Sequence, residues 1–323
     1  MNPTEEQQNV RPIRGTGYPK SNIWAIGGGK GGVGKTFVST SLAVFLSNLG
    51  YKTTIVDLDL GAANTHTSLG EAAPRMGIQN LIMTPNTKLV DVAQPTKFTH
   101  LNIVSGSNDA LDVADINNEH KSRLMSAIYN HEADFTILDL SAGTHKSTLD
   151  FFLMAQKRLL IFTPEPSSIE NAYRFMKSSF FRNVKRFEHQ LHLKPLIDNL
   201  MQNKSSLGIK SPADLLALVI KNDPVNGERL KDLLNRYDYQ IILNQTRTFK
   251  DMEIGESIAG VSKKYFGLNT SFLGHVDHDN AVWQSLRKRQ HLLVEYPHSR
   301  LYTQLMKITR KLVQQNKSLK LTA

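Results

Sequence analysis

The 323-residue sequence predicts an α/β fold, a mostly parallel sheet with helices on both faces and a small helical insertion. Three observations predict it. Short β-branched runs alternate with longer helical stretches, a glycine-rich loop joins the first such run to the first helix, and two later apolar runs end in Asp.

In chain order, residues 1–22 are polar with no apolar h-region and predict a flexible N-terminal tail, which leaves 23–323 as a single domain. Strands are expected at 23–27, 53–58, 101–105, 135–140, 158–163, 239–244 and 271–276, with helices such as 35–49 and 119–131 between them. The interval 187–238 offers no strand. Within it Ser211-Pro212 and Asp223-Pro224 each place an N-cap residue before Pro at the first helical position, so this stretch reads as the helical insertion. Near the end Leu301, Leu305, Ile308 and Leu312 recur at helical spacing, as either a last core helix or an amphipathic helix lying on a membrane.

Composition narrows the function classes. Hydrophobic residues at 40% and charged residues at 21% describe a chain able to bury a core, which excludes a disordered chain. The absence of cysteine removes thiolate nucleophiles, zinc knuckles and iron–sulfur clusters. The net charge is +10, and eight of those charges fall in the last 37 residues, where nine Lys or Arg face only Glu295. Such an end attracts phosphate-rich surfaces, an anionic membrane or, using Arg287, Lys288 and Arg289, non-specific DNA. No run of 18 apolar residues occurs, and a cytoplasmic location is expected.

Gly29 to Thr36 satisfies G-x-x-x-x-G-K-[ST], placed after an apolar strand and before a helix. Gly29, Lys30, Gly31, Gly32, Val33 and Gly34 would turn backbone N–H groups toward an anion at the positive end of the next helix. Lys35 would reach the β- and γ-phosphates of a nucleotide, and the Thr36 hydroxyl would ligate Mg2+. The run 135–140 ends a Walker B pattern, so Asp139 would hold the Mg2+, and Gly143 would give the following switch its freedom. His66 and His145 adjoin these segments, but the eleven histidines show no metal-ligand spacing.

The second lysine in Lys30-Gly-Gly-Val-Gly-Lys-Thr36 carries a family resemblance: the segment is similar to the deviant Walker A motif of the MinD/ParA ATPases, nearest the FlhG/MinD branch. The resemblance extends to Asp57-Leu-Asp-Leu-Gly-Ala-Ala-Asn64, Phe162-Thr-Pro-Glu-Pro-Ser-Ser168 and Ile241-Ile-Leu-Asn244. It implies that Lys30 acts in trans across an ATP-dependent homodimer, that Asp59 positions the hydrolytic water and Asp57 supports the Mg2+ shell. It also implies that Asn64 lies near the phosphates and that Asn244 reads the adenine. Ser141 stands where the family usually has proline. The cysteine-free chain cannot carry the cluster of the nitrogenase iron proteins, which share the phosphate loop.

The resulting expectation is a slow Mg2+-dependent ATPase, a dimerisation switch that positions or counts cellular machinery such as a flagellum or another polar structure. It would answer to an unidentified activator protein and could associate peripherally with a membrane or pole. Two alternatives stay open: a ParA-type DNA partition ATPase and a nucleotide-gated scaffold that does not hydrolyse.

Overall fold

In the computed structural model, which describes residues 19–106 and 116–321 with side chains through 315, the apolar runs form one sheet of eight strands. These are β1 (Asn22–Gly27), β2 (Thr53–Leu58), β3 (Gln94–Pro95), β4 (Leu101–Val104), β5 (Phe135–Leu140), β6 (Lys157–Phe162), β7 (Tyr239–Thr246) and β8 (Thr270–Asp277). Their order is β3-β4-β2-β5-β1-β6-β7-β8, and every neighbour is parallel except β3 with β4. The central strands are buried on both faces, as their unbroken apolar composition requires. The two-residue β3 was not expected from the sequence. Pro95 has no N–H to donate, which suits it to this sheet edge.

The helices are α1 (Lys35–Asn48), α2 (Thr65–Leu69), α3 (Ile78–Met83), α4 (Leu89–Val92), α5 (Asn118–Tyr129), α6 (Lys146–Met154) and α7 (Pro166–Phe187), then α8 (Lys194–Gln202), α9 (Pro212–Asn222), α10 (Pro224–Asn235), α11 (Phe249–Phe266), α12 (Asn280–Arg287), α13 (Leu292–Glu295) and α14 (Arg300–Leu321). Two apolar clusters flank the sheet. One packs α1, α13 and α14 on the face of Trp24, Ile55 and Ile161; the other packs α5, α6, α7 and α11 on the face of Ala25, Val56 and Leu160.

Helices α8, α9 and α10 fill the interval 187–238. The Ser211 hydroxyl accepts from the Asp214 N–H at 3.1 Å, and the Asp223 carboxylate accepts from the Asn226 N–H at 3.0 Å, each followed by Pro in the first turn. Ile197, Leu216 and Leu230 join the same apolar cluster as α7, so the insertion is continuous with the body.

One expectation changes, and one pair of alternatives is decided. The tail drawn to residue 22 recedes, since the Lys20 N–H donates to the Tyr129 carbonyl, Ser21 is buried against Thr136 and Asn22 opens β1. Residues 1–18 lie outside the described residues. The C-terminal stripe is core: Leu301, Leu305, Ile308 and Leu312 are at most 2% exposed, packed toward α1 and β8, so they offer no face to lipid. No helix among the described residues is long and apolar enough to cross a membrane.

Candidate nucleotide site

β1 delivers the chain to the glycine loop and α1 leaves from it, with Gly34 at φ 90° as the pivot. A Cβ on Gly34 would lie 2.1 Å from the Asn244 amide nitrogen, and one on Gly29 would lie 2.1 Å from the Asn171 carbonyl oxygen, so both positions require glycine. On the other side a Cβ at Gly31 or Gly32 would meet nothing within 4 Å, which leaves that side of the loop open. Val33 is buried and anchors the loop in the core. From β7, Asn244 donates to the Val33 carbonyl at 2.8 Å and Gln245 donates to that of Gly32 at 3.2 Å, clamping the loop from behind. The first turn of α1 contains no acidic residue and no side-chain cap, so its N–H groups face an anion uncontested.

Lys35 is 8% exposed. Burial pushes its pKa down, while the nearby Asp139 and Asp59 carboxylates oppose the shift. Lys35 therefore lies near the two acidic strand ends. Adjacent parallel pairing of β2 and β5 sets Asp57 opposite Asp139. Asp57, 1% exposed, shapes the following segment: its Oδ1 accepts from the Asp59 N–H at 3.1 Å and its Oδ2 from those of Asn64 and Thr65 at 3.0 Å each. The resemblance assigned Asp57 to the metal shell; in the structure its two oxygens fold residues 59–65 around themselves.

Asp139 has a different environment. Its Oδ2 accepts from the Thr65 hydroxyl at 3.1 Å, while its Oδ1 is buried without a hydrogen-bond partner. Burial first and the Asp57 charge second push its pKa up to about 7, against Thr36, Lys35 and Ser39. A buried carboxylate oxygen with a free lone pair beside the Thr36 hydroxyl is the donor set a hard divalent cation takes, directly or through water. The residues present therefore fit Mg2+, which Thr36 and Asp139 would hold. No cluster of three or more His, Asp or Glu able to hold a metal occurs among the described residues.

This environment sets a pH dependence. Folded Asp139 keeps its proton to about pH 7, whereas the unfolded chain loses it near 3.8, so between those values the folded state binds more protons. The ligand-free protein should lose on the order of a few kcal/mol of stability as pH rises through that window. Asp139→Asn should flatten the slope, checked by melting both proteins from pH 4 to 8.

The remaining expected residues fall into place unevenly. Asp59 is half-buried near Lys35. Gly143, at φ 93°, donates its N–H to the Gly28 carbonyl at 3.3 Å, which ties the segment after β5 to the loop. Ser141 bonds the Thr148 hydroxyl at 2.8 Å. Asn64 is exposed at the start of α2, and its side chain makes no cap. Lys30 turns away from its own loop: Nζ donates to the Ser167 hydroxyl at 3.0 Å and lies 3.6 Å from Glu165, at the start of α7.

Two elements of the site were missed from sequence. Thr65 is fully buried and bridges Asp57 and Asp139; its place directly after Asn64 was the available signal. Beside the loop lies a cavity of about 210 Å3 whose walls include Gly34, Phe37, Asn244, Asp277, Val282 and Trp283. Nothing in the sequence joined Trp283 to residues almost 250 positions earlier.

Residues 24–292 match the CobQ/CobB/MinD/ParA nucleotide binding domain. The antiactivator FleN of Pseudomonas aeruginosa is 32% identical over 167 residues, 48% of this chain and 55% of FleN. The flagellum site-determining protein YlxH of Helicobacter pylori is 30% identical over 166 residues, 47% of this chain and 52% of YlxH, so the match spans about half of each relative. The crystal structure of the cell division ATPase MinD of Pyrococcus furiosus superposes with a TM-score of 0.62 at 20% identity, covering 91% of this chain and 99% of that one. MinD of Pyrococcus horikoshii, complexed with Mg-ADP, does so at 0.59 and 21% identity, covering 90% and 96%. With five-sixths of its length matched and its glycine loop, acidic strand ends and parallel sheet in place, the chain belongs to the MinD/ParA family of nucleotide-binding proteins.

Proposed function

We propose that this chain is a slow Mg2+-dependent ATPase whose ATP-bound state is a homodimer, and that it uses the cycle to place or count cellular machinery. The observation that carries the chemistry is the buried Lys35 near Asp139 and Asp59 at the end of an open glycine loop. Loop N–H groups and Lys35 would bind and orient the phosphates, and Asp59 would hold the attacking water. When bound, Mg2+ supplies positive charge to the phosphate oxygens. Thr65 keeps Asp139 aimed, and Asp57 keeps residues 59–65 in register with it.

The dimer reading rests on Lys30. Its ammonium is spare to its own loop, parked on Glu165 and Ser167, and 41% exposed, a position from which a flexible lysine can turn to phosphates held by a second copy. Likeness to an antiactivator and a flagellum site-determining protein supports a role in placement; an activator protein would trigger turnover. Attachment to an anionic surface would fall to the exposed Arg287 and Arg289, since the α14 stripe is occupied.

The cavity beside Gly34 suits the base, with Asn244 at its inner wall and Trp283 at its rim. Of the chain's two tryptophans Trp24 is fully buried in the sheet and Trp283 is 59% exposed, so Trp283 reports on the cavity. ATP should change tryptophan emission in the native chain and not in Trp283→Phe or Lys35→Ala. Trp283→Ala should bind ATP about 3- to 10-fold more weakly through lost ring contact. Unchanged emission with ATP shown bound by filtration would remove the base from this cavity.

A further inference from the structure

The end of the sheet opposite the glycine loop carries a cationic cluster that the nucleotide chemistry does not use. Parallel pairing of Leu159 with Gln240 puts Arg158 beside Tyr239 on the sheet face covered by α7. There the Tyr239 hydroxyl bonds that of Ser179 at 2.8 Å, and Asn183 and Arg186 follow Ser179 along the same face of α7. Arg158 is 4% exposed and Asn183 1% exposed. Arg158 stacks over Tyr237 and spends two of its donors on the Gln156 and Arg236 carbonyls, yet its Nε is buried without a partner. The Arg186 Nη1 and both polar atoms of the Asn183 amide are likewise buried and unpartnered.

The charges do not balance. Arg158 and Arg186 repel each other, and the carboxylate near them is Asp238, 3.8 Å from Arg158 and 40% exposed. A buried Arg158 and a half-buried Arg186, each with a buried unmet donor, one screened counter-ion and an empty-handed amide form an incomplete site, because each unmet buried donor carries its full desolvation cost. Water could meet single hydrogen bonds but would leave the positive charge.

We propose that this cluster binds a small tetrahedral oxyanion that carries a proton at neutral pH, inorganic phosphate, at the junction of α7, β6 and the α10–β7 turn. The Arg158 Nε, Arg186 Nη1 and Asn183 Nδ2 groups donate to its oxygens, and the Asn183 Oδ1 accepts from its P–OH group. That one acceptor among the donors selects phosphate over sulfate, which has no proton to give at neutral pH. Arg186 is half-buried and provides the way in from the surface. The site also ties the returning end of the insertion to the last turns of α7, whose first turn holds Lys30.

The test is the melting midpoint of the full chain in saturating Mg-ADP, titrated with potassium phosphate or potassium sulfate at ionic strength held constant with chloride. Phosphate at saturation should raise the midpoint about 3 °C above chloride, and sulfate less than half as much. Arg186→Gln should abolish the phosphate increment, and Lys35→Ala, which disables the glycine loop, should keep it. Should Arg186→Gln fail to fold, Asn183→Leu serves in its place and should make phosphate and sulfate equivalent. The proposal is overturned by no phosphate increment, by equal effects of the two anions on the native chain, by an increment that survives Arg186→Gln, or by its loss in Lys35→Ala alone.

Discussion

Asp59→Ala should slow phosphate release from ATP at least about 100-fold while ATP affinity stays within about threefold of the native chain. Asp59 sits just past the end of β2, half-buried, near Lys35, and its own N–H is held by Asp57. Under the proposed function a group there would orient water without holding the ground-state nucleotide, so its loss would fall on turnover. Lys35→Ala should lose both turnover and binding, because it removes the buried ammonium that would meet the phosphates. Phosphate release measured beside tryptophan emission separates the two. Equal rates for the native chain and both variants would sink the enzyme reading, and ATP binding with no turnover in the native chain would favour the scaffold.

Leu305→Ala should cost about 3 kcal/mol of stability, read as a shift in the urea midpoint at unchanged slope. Leu305 is fully buried between α1 and β8 with Leu301 and Leu312, and truncating it leaves a cavity that neighbours held by the sheet cannot close. Lys307→Glu, two positions on and exposed, should change stability by less than about 0.5 kcal/mol. A near-neutral Leu305→Ala would mean that the stripe faces solvent or lipid and not the core.

What the sequence made legible was local. The strand–loop–helix order around Gly29 to Thr36 and the two strands ending in Asp57 and Asp139 are set by residues close together in the chain, and the structure reproduces β2 and β5 at their expected ends. Parallel register then brings the two Asp together, which strand ends alone imply. The unread parts depend on contacts at long range. Thr65 matters because the chain folds back over Asp57, and Trp283 because β7 and β8 carry α12 to the flank of the loop. The Leu301 stripe was ambiguous for a physical reason: an apolar helix face has the same periodicity whether a sheet or a membrane covers it. Lys30 shows the reverse limit, since its parking on Glu165 and Ser167 is a tertiary contact across more than 130 residues.

The switch is tested most directly by the solution mass of Asp59→Ala, measured by size exclusion with light scattering in Mg-ATP and again in Mg-ADP. A chain that binds ATP, cannot hydrolyse it and offers Lys30 to a second copy should run as a dimer of about twice 36.3 kDa with ATP and as a monomer with ADP. Lys30→Ala added to it should return the ATP form to monomer. A monomer with ATP demonstrably bound to Asp59→Ala would contradict the trans role of Lys30 and the dimerisation switch with it.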